Sequence, residues 1–134
     1  MQSINNFEFQ SLLGFGGFGQ CSLYKTSEGK KVVIKSIKKQ AKTRHFTVRE
    51  IDAGKTLRHK NIAKFHSDFQ DDENDYLVFE LVQGVDLFKY FQDNEFTPFA
   101  EKSAKKIFRQ LATAINYCHQ KGVAHLDIKV CLSF

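Results

Sequence analysis

The stretch Leu12–Lys35, "LLGFGGFGQCSLYKTSEGKKVVIK", constrains the fold more than any other part of the chain. Gly14, Gly16 and Gly19 stand in the spacing G-x-G-x-x-G, and the apolar run Val32–Val33–Ile34 closes on Lys35. The residues around the glycines, "FEFQSLLGFG" and "QCSLYKT", are short and partly alternating, and the second does not start a helix. "SEGK" is a turn, and "KVVIKSI" is β-branched and compact, which reads as a third strand. The glycines therefore join two antiparallel strands.

The triad by itself leaves two readings open. In dinucleotide-binding folds the same spacing lies between a strand and a helix, whereas here a strand follows. Between strands, glycines remove Cβ bulk so that backbone N–H groups can approach a polyphosphate, or they make a plain flexible hairpin. Lys35 bears on the choice. Neighbours on a strand alternate faces, so Val33 and Lys35 point the same way. An apolar wall beside a charged tip suits a stacked base and a phosphate reached by the amine. A lysine so placed needs an anion, and Glu50 in the next segment is a candidate; a surface lysine at a strand end is the alternative.

Residues 44–58 carry Phe46, Val48, Ile51 and Leu57 in a loosely helical pattern, which Gly54 weakens by about 1 kcal/mol relative to Ala. "NIAKFHSDF", the polar turn "QDDEND" and "YLVFELV" read as a strand pair. Gly84 ends it, and "DLFKYFQDN" is a short helix. The longest element is predicted over 98–121, where Ala104, Ile107, Phe108, Leu111, Ile115 and Cys118 recur at helical spacing. Pro98, the single proline, suits a first helical position with Thr97 as cap, and Gly122 stops the helix. Gly84 divides a β-rich half, 1–84, from a helical half, 85–134.

Composition narrows the class. An apolar fraction of 42% and a charged fraction of 26% over 134 residues fit a soluble globular chain with a real core. Cys21, Cys118 and Cys131 are an odd count without framework spacing, which suggests reduced thiols in the cytosol or nucleus, and an intracellular, cytoplasmic setting is expected. No apolar run reaches the roughly 18–20 residues that span a bilayer. "MQSINNFEFQ" lacks the basic start and apolar core of a secretory signal, so no membrane partner is expected. The net charge of +5, concentrated in Lys30–Arg44, lacks interleaved aromatics and reads as a solvated surface rather than a nucleic-acid site. Cys118, His119 and His125 match no ordinary metal-ligand spacing, so no metal site is expected of them.

Taken together, six ordered segments resemble the eukaryotic protein kinase domain. Gly14–Cys21 resembles its glycine-rich loop, Val32–Lys35 its lysine-bearing strand, and Glu50 the acidic partner of that lysine. Leu57–Phe65 resembles the run before the fourth strand, Tyr76–Phe88 the hinge between the lobes, and His125–Lys129 the catalytic loop. The resemblance implies an α+β fold: a five-stranded antiparallel sheet with one helix, then an incomplete helical lobe. It implies ATP as cofactor and a protein substrate. Leu13, Gly14, Phe15, Gly16, Gly17, Phe18 and Gly19 would cover the ATP phosphates, and Lys35, held by Glu50, would bind the α- and β-phosphates. Cys21 and Val33 would flank the adenine, and Cys21 reads as packing or as a reactive thiol. Phe79 would close the back of the pocket, and the backbones of Glu80 and Val82 would pair with the adenine edge. Asp86 would bind ribose hydroxyls or cap a helix. Asp127 would orient the substrate hydroxyl and accept its proton, and Lys129 would neutralise the transferring phosphoryl group. Lys129 at that position resembles the serine/threonine class. The family resemblance does not indicate an oligomeric state.

The pattern also departs from the family. Leu126 replaces the arginine that holds a phosphorylated activation loop, as in kinases independent of such phosphorylation. After Lys129, Val130 stands where proline belongs, Leu132 stands where the metal-binding asparagine belongs, and no D-F-G segment follows. Mg²⁺ is expected for the family, yet its protein ligands are missing here, so little or no kinase activity is expected of the chain as written. A pseudokinase-like nucleotide- or partner-binding fragment is the alternative. A valine codon opens with the GT of an intron donor, so the switch after Lys129 reads as an unspliced boundary. Gly54, one turn after Glu50, falls where the family packs a large apolar side chain. Few partners remain for the 98–121 helix. About five uncovered apolar side chains forfeit roughly 1.5–3 kcal/mol each, which implies a compact first lobe and a loose tail.

Overall fold

A computed structural model describes residues 2–16 and 19–129. The strands are β1 (Phe7–Gly16), β2 (Gly19–Thr26), β3 (Lys31–Lys38), β4 (Phe65–Gln70) and β5 (Asn74–Glu80). The helices are α1 (Arg44–Thr56), α2 (Leu87–Asp93) and α3 (Glu101–Gln120), and a short 3₁₀ turn, Ile4–Asn6, precedes β1. The chain divides into two compact units: Met1–Thr56 with Lys64–Leu81, and Leu57–Ala63 with Val82–Phe134. Among the described residues no helix is long and apolar enough to cross a membrane.

The first unit is the five-stranded antiparallel sheet with one helix that the sequence implies, in the order β1-β2-β3-β5-β4. Alternation along β3 and β5 divides its apolar residues between two faces. Val32, Ile34, Tyr76 and Val78 form one cluster, joined by Ile4, Phe7, Tyr24 and Phe69. Ile37, Leu77 and Phe65 form the other, joined by Ile51 of α1 and Phe79. Ile34 and Leu77 are wholly buried, and each such side chain stabilises the fold by about 1.5–3 kcal/mol. Phe65 and Phe69 are an even number of residues apart on β4 yet serve opposite faces. A register shift between Phe65 and Ser67 turns the strand over.

The predicted turn "QDDEND" is shorter than expected, and β5 starts inside it at Asn74. Asp71 is the reason. Its Oδ1 accepts from the N–H groups of Glu73 (2.9 Å) and Asn74 (2.7 Å), so one aspartate closes the turn. Its Oδ2 accepts from the Tyr76 hydroxyl at 2.7 Å, and the Tyr76 ring stacks on Phe69 at 4.8 Å.

In the second unit α3 begins at Glu101 behind Ala100, which gives no side-chain cap. Pro98 and Thr97 are therefore not its first residue and cap. Phe99 is held in place by ring contacts with Tyr90 (4.9 Å) and Phe91 (5.0 Å) of α2. The Thr97 N–H closes a turn on Asn94 O, so helix geometry starts only after Phe99. The other end follows the sequence: Gly122 adopts φ +72°, and the Val123 N–H returns to Cys118 O at 2.9 Å. Ala114 and Cys118 are buried and Ile107, Leu111 and Ile115 half-buried, whereas Ala104 and Phe108 are exposed.

Burial and the bond to Asp71 push the Tyr76 phenol from its ordinary 10.0 up to about 12. In that window the unfolded chain loses the phenolic proton while the folded chain keeps it. Stability in urea unfolding is therefore expected to fall as pH rises from 10.0 to about 12. Tyr76→Phe is expected to flatten that slope, and an unchanged slope would mean the phenol does not govern it.

Candidate functional site

Strand β3 carries the centre of the site. Lys35 shares a face with Val33 and Ile37, the side on which α1 lies, and pairs across the sheet with Cys21 of β2 and Leu77 of β5. Its Nζ donates to Glu50 Oε1 at 2.6 Å, with the two side chains 18% and 33% exposed. A charge-assisted bond so placed is screened less than a surface pair, while water and solutes still reach one side of it.

Polar contacts bring Glu50 to this position. Arg44 at the start of α1 pairs with the buried Asp75 of β5, and Lys55 near its end pairs with Asp68 of β4 at 2.8 Å. Only Thr47 of α1 is fully buried, and Ile51 packs on the second cluster. Gly54 lets the helix lie close. A Cβ there would come within 2.6 Å of Phe65 Cδ2, so the Phe65 ring fills the space a larger residue at 54 would take. The departure at Gly54 thus has a packing partner, which sequence reasoning missed along with Arg44, Asp68 and Asp75. A glycine in mid-helix was the one signal pointing to the close approach.

The first hairpin pairs out to Gly16↔Gly19, and Gly17 and Phe18 lie outside the described residues. Gly19 has an internal reason to be glycine, since a Cβ would meet Ser36 O at 2.5 Å. Gly14 has none, because a Cβ there would meet nothing within 4 Å. Leu13 and Phe15 beside it are exposed. Register shifts in β1, the second between Leu12 and Gly14, bend the strand at this point.

Cys21 is half-buried. Burial raises its thiol pKa, the Lys35 charge lowers it and Glu50 raises it again, with a net upward shift. Burial thus favours the protonated thiol. Phe79 lies opposite Val33 and meets Phe65 edge-to-face at 5.4 Å. The Glu80 N–H donates to Lys64 O at 2.9 Å, and its carboxylate accepts from the Lys64 N–H at 2.7 Å.

The remaining candidates belong to the second unit. Val82 is exposed. Asp86 Oδ1 accepts from the Lys89 N–H at 2.7 Å and caps α2, one of its two expected roles. Asp127 Oδ2 lies 2.9 Å from Lys129 Nζ in an exposed pair, and the Asp127 N–H donates to His125 Nδ1 at 3.3 Å. Leu126 between them adopts φ +62° with its side chain 92% exposed. A bulky residue in that region is strained, and here no packing of the side chain compensates. Among the described residues no group of three or more His, Cys, Asp or Glu is placed to hold a metal ion. Val130 and Leu132 lie outside the described residues.

The protein kinase domain matches residues 7–131, and the chain is a member of that family. It is 36% identical over 132 residues to Aurora/IPL1-related protein kinase 2 of Caenorhabditis elegans, covering 95% of this chain and 43% of that protein. It is 36% identical to an Aurora kinase of Patiria pectinifera, covering 95% of this chain and 32% of that protein. It is also 32% identical to human NUAK family SNF1-like kinase 2, covering 94% of this chain and 20% of that protein. The chain thus spans less than half the length of these relatives.

Gly54→Leu is expected to destabilise the fold by about 1–3 kcal/mol through overpacking against Phe65. Phe65→Ala is expected to cost about 3–5 kcal/mol. In a urea-unfolding double-mutant cycle the combined variant should fall short of the sum by at least about 0.5 kcal/mol. Strict additivity would show that ring and helix backbone do not constrain each other.

Proposed function

We propose that this chain is the nucleotide-binding part of a serine/threonine protein kinase, with Lys35 and Glu50 as its phosphate-holding centre. Residues 1–84 correspond to the nucleotide lobe and 85–134 to the start of the helical lobe. The observation that carries the reading is the 2.6 Å bond between Lys35 Nζ and Glu50 Oε1 at the side of a hairpin whose Gly14 faces open space. The carboxylate fixes the amine at one distance from the sheet and leaves two of its three donors for phosphate oxygens.

ATP fits the residues present. The backbone of Leu13–Gly16 and of Gly19 would supply N–H groups to the phosphates, and Cys21 and Val33 would supply apolar surface for a base. Phe79 sets the depth available to that base. The Glu80 N–H is committed to Lys64, so its pairing with an adenine amino group falls to the carbonyl, with Val82 contributing its backbone further on. Asp86 keeps its cap and offers its carboxylate to the ribose. Asp127 orients the hydroxyl of a protein substrate and takes its proton, and Lys129 holds the phosphoryl charge. Mg²⁺ fits less well, because Leu132 has no side-chain oxygen to offer where the family has asparagine. Phosphoryl transfer rests on positioning and on metal charge, so the chain binds nucleotide with little or no turnover. The pseudokinase-like reading shares this pocket, and Leu126 and Leu132 favour it.

Titration with a fluorescent ATP analogue is expected to show saturable binding. Lys35→Met should weaken it at least about tenfold, or about 1.4 kcal/mol, with the far-UV circular dichroism unchanged. Equal affinity in the two proteins would overturn the assignment. Transfer of phosphate to a peptide at an ordinary kinase rate would sink the low-turnover reading while leaving the pocket intact.

A further inference from the structure

A groove of about 440 Å³ opens in the second unit between the 57–63 loop and α3. Its cations are Lys60 from the loop and Lys102, Lys105, Lys106 and Arg109 from the helix, and among the described residues neither a carboxylate nor an aromatic ring lines it. On α3 these charges recur at spacings of three and four, where like charges repel. Three of them stand near the N-terminal end of the helix, where the macrodipole disfavours cations. Lys105 is paired with Glu101 at 2.6 Å. Among the described residues, Lys60, Lys102, Lys106 and Arg109 form no ion pair.

The loop is fixed to the helix. The His59 ring stacks on Tyr117 at 5.2 Å, the Arg58 N–H donates to Tyr117 Oη at 3.0 Å, and the Asn61 N–H donates to His59 Nδ1 at 3.1 Å. Lys60 is thereby carried to the cations of α3 by tertiary contacts, not by local sequence. The concavity stores repulsion that a bound polyanion relieves.

We propose that this groove binds a phosphorylated segment of a partner protein. Arg109 offers the planar fork that suits a phosphate, Lys60, Lys102 and Lys106 supply the surrounding charge, and Asn61 and Thr113 add neutral hydrogen-bonding groups. A nucleic acid suits it less, since among the described residues no ring lines the groove for base stacking and the charge forms a single hollow rather than a track. The inference does not depend on the Lys35 pocket.

The test is fluorescence anisotropy with the full chain, using a short labelled phosphoserine peptide, its unphosphorylated counterpart and a short single-stranded DNA. The phosphopeptide is expected to bind at least about tenfold more tightly than either other probe. Lys106→Glu combined with Arg109→Glu should weaken it at least about tenfold, while Lys42→Glu, at an exposed lysine of the other unit, should change it less than about twofold. If the helix variant loses its circular dichroism, Lys60→Glu on the loop reads out the same loss. Equal binding of the two peptides, or tighter binding of the DNA, would overturn the proposal. So would no loss from the groove variants, or an equal loss from Lys42→Glu.

Discussion

The bond between Lys35 and Glu50 is the constraint on which the first unit turns. It is one of three ion pairs, to β5, β3 and β4 in turn, that hold α1 to the sheet. The apolar grip is small by comparison, with Ile51 packed on the sheet and Thr47 buried. A helix held this way takes its distance from the sheet out of side-chain lengths and hydrogen-bond geometry. That distance decides whether an ammonium group on β3 is presented to solvent at a fixed place or swings on its stem.

Gly54 and Phe65 belong to the same constraint. Absence of a side chain at 54 and presence of a ring at 65 are two halves of one volume, and close packing leaves little room to change either alone. Glycine weakens α1 locally, yet it brings the helix near enough for Glu50 to reach Lys35. Gly19 is similar, admitting the Ser36 carbonyl so that β2 can close on β3. Gly14 differs from both in that an added Cβ would meet nothing within 4 Å among the described residues.

The second unit shows the opposite balance. α3 turns Ala114 and Cys118 inward and leaves Phe108 69% exposed, while Lys102, Lys106 and Arg109 in its first turns make no ion pair among the described residues. A helix with both uncovered apolar surface and uncompensated charge has its stability set by what it meets as much as by its own unit. Leu126, strained and exposed beside Asp127, belongs to the same region and holds an arrangement for which its side chain gains nothing.

The order of strands and helices was legible from the chain because it rests on local rules. β-Branched, compact composition marked "KVVIKSI" as a strand, helical spacing marked 98–121, and Gly122 ended it, each within a few residues of the observed bounds. Segment order carried the resemblance to kinases, and with it the pairing of Lys35 with a carboxylate fifteen residues on. Local rules failed where a residue answered to something distant. Thr97 and Pro98 look like a helix start until Phe99 stacks on α2, and the polar run 70–75 looks like loop until Asp71 shortens its turn. Gly54 looks like a defect until the ring of Phe65 is seen beside it, and Lys60 is an ordinary surface lysine until its loop docks on Tyr117. Period and turn chemistry act over a few bonds and are written in neighbouring letters. Volume and charge act through space, between residues whose proximity exists only once the chain has folded.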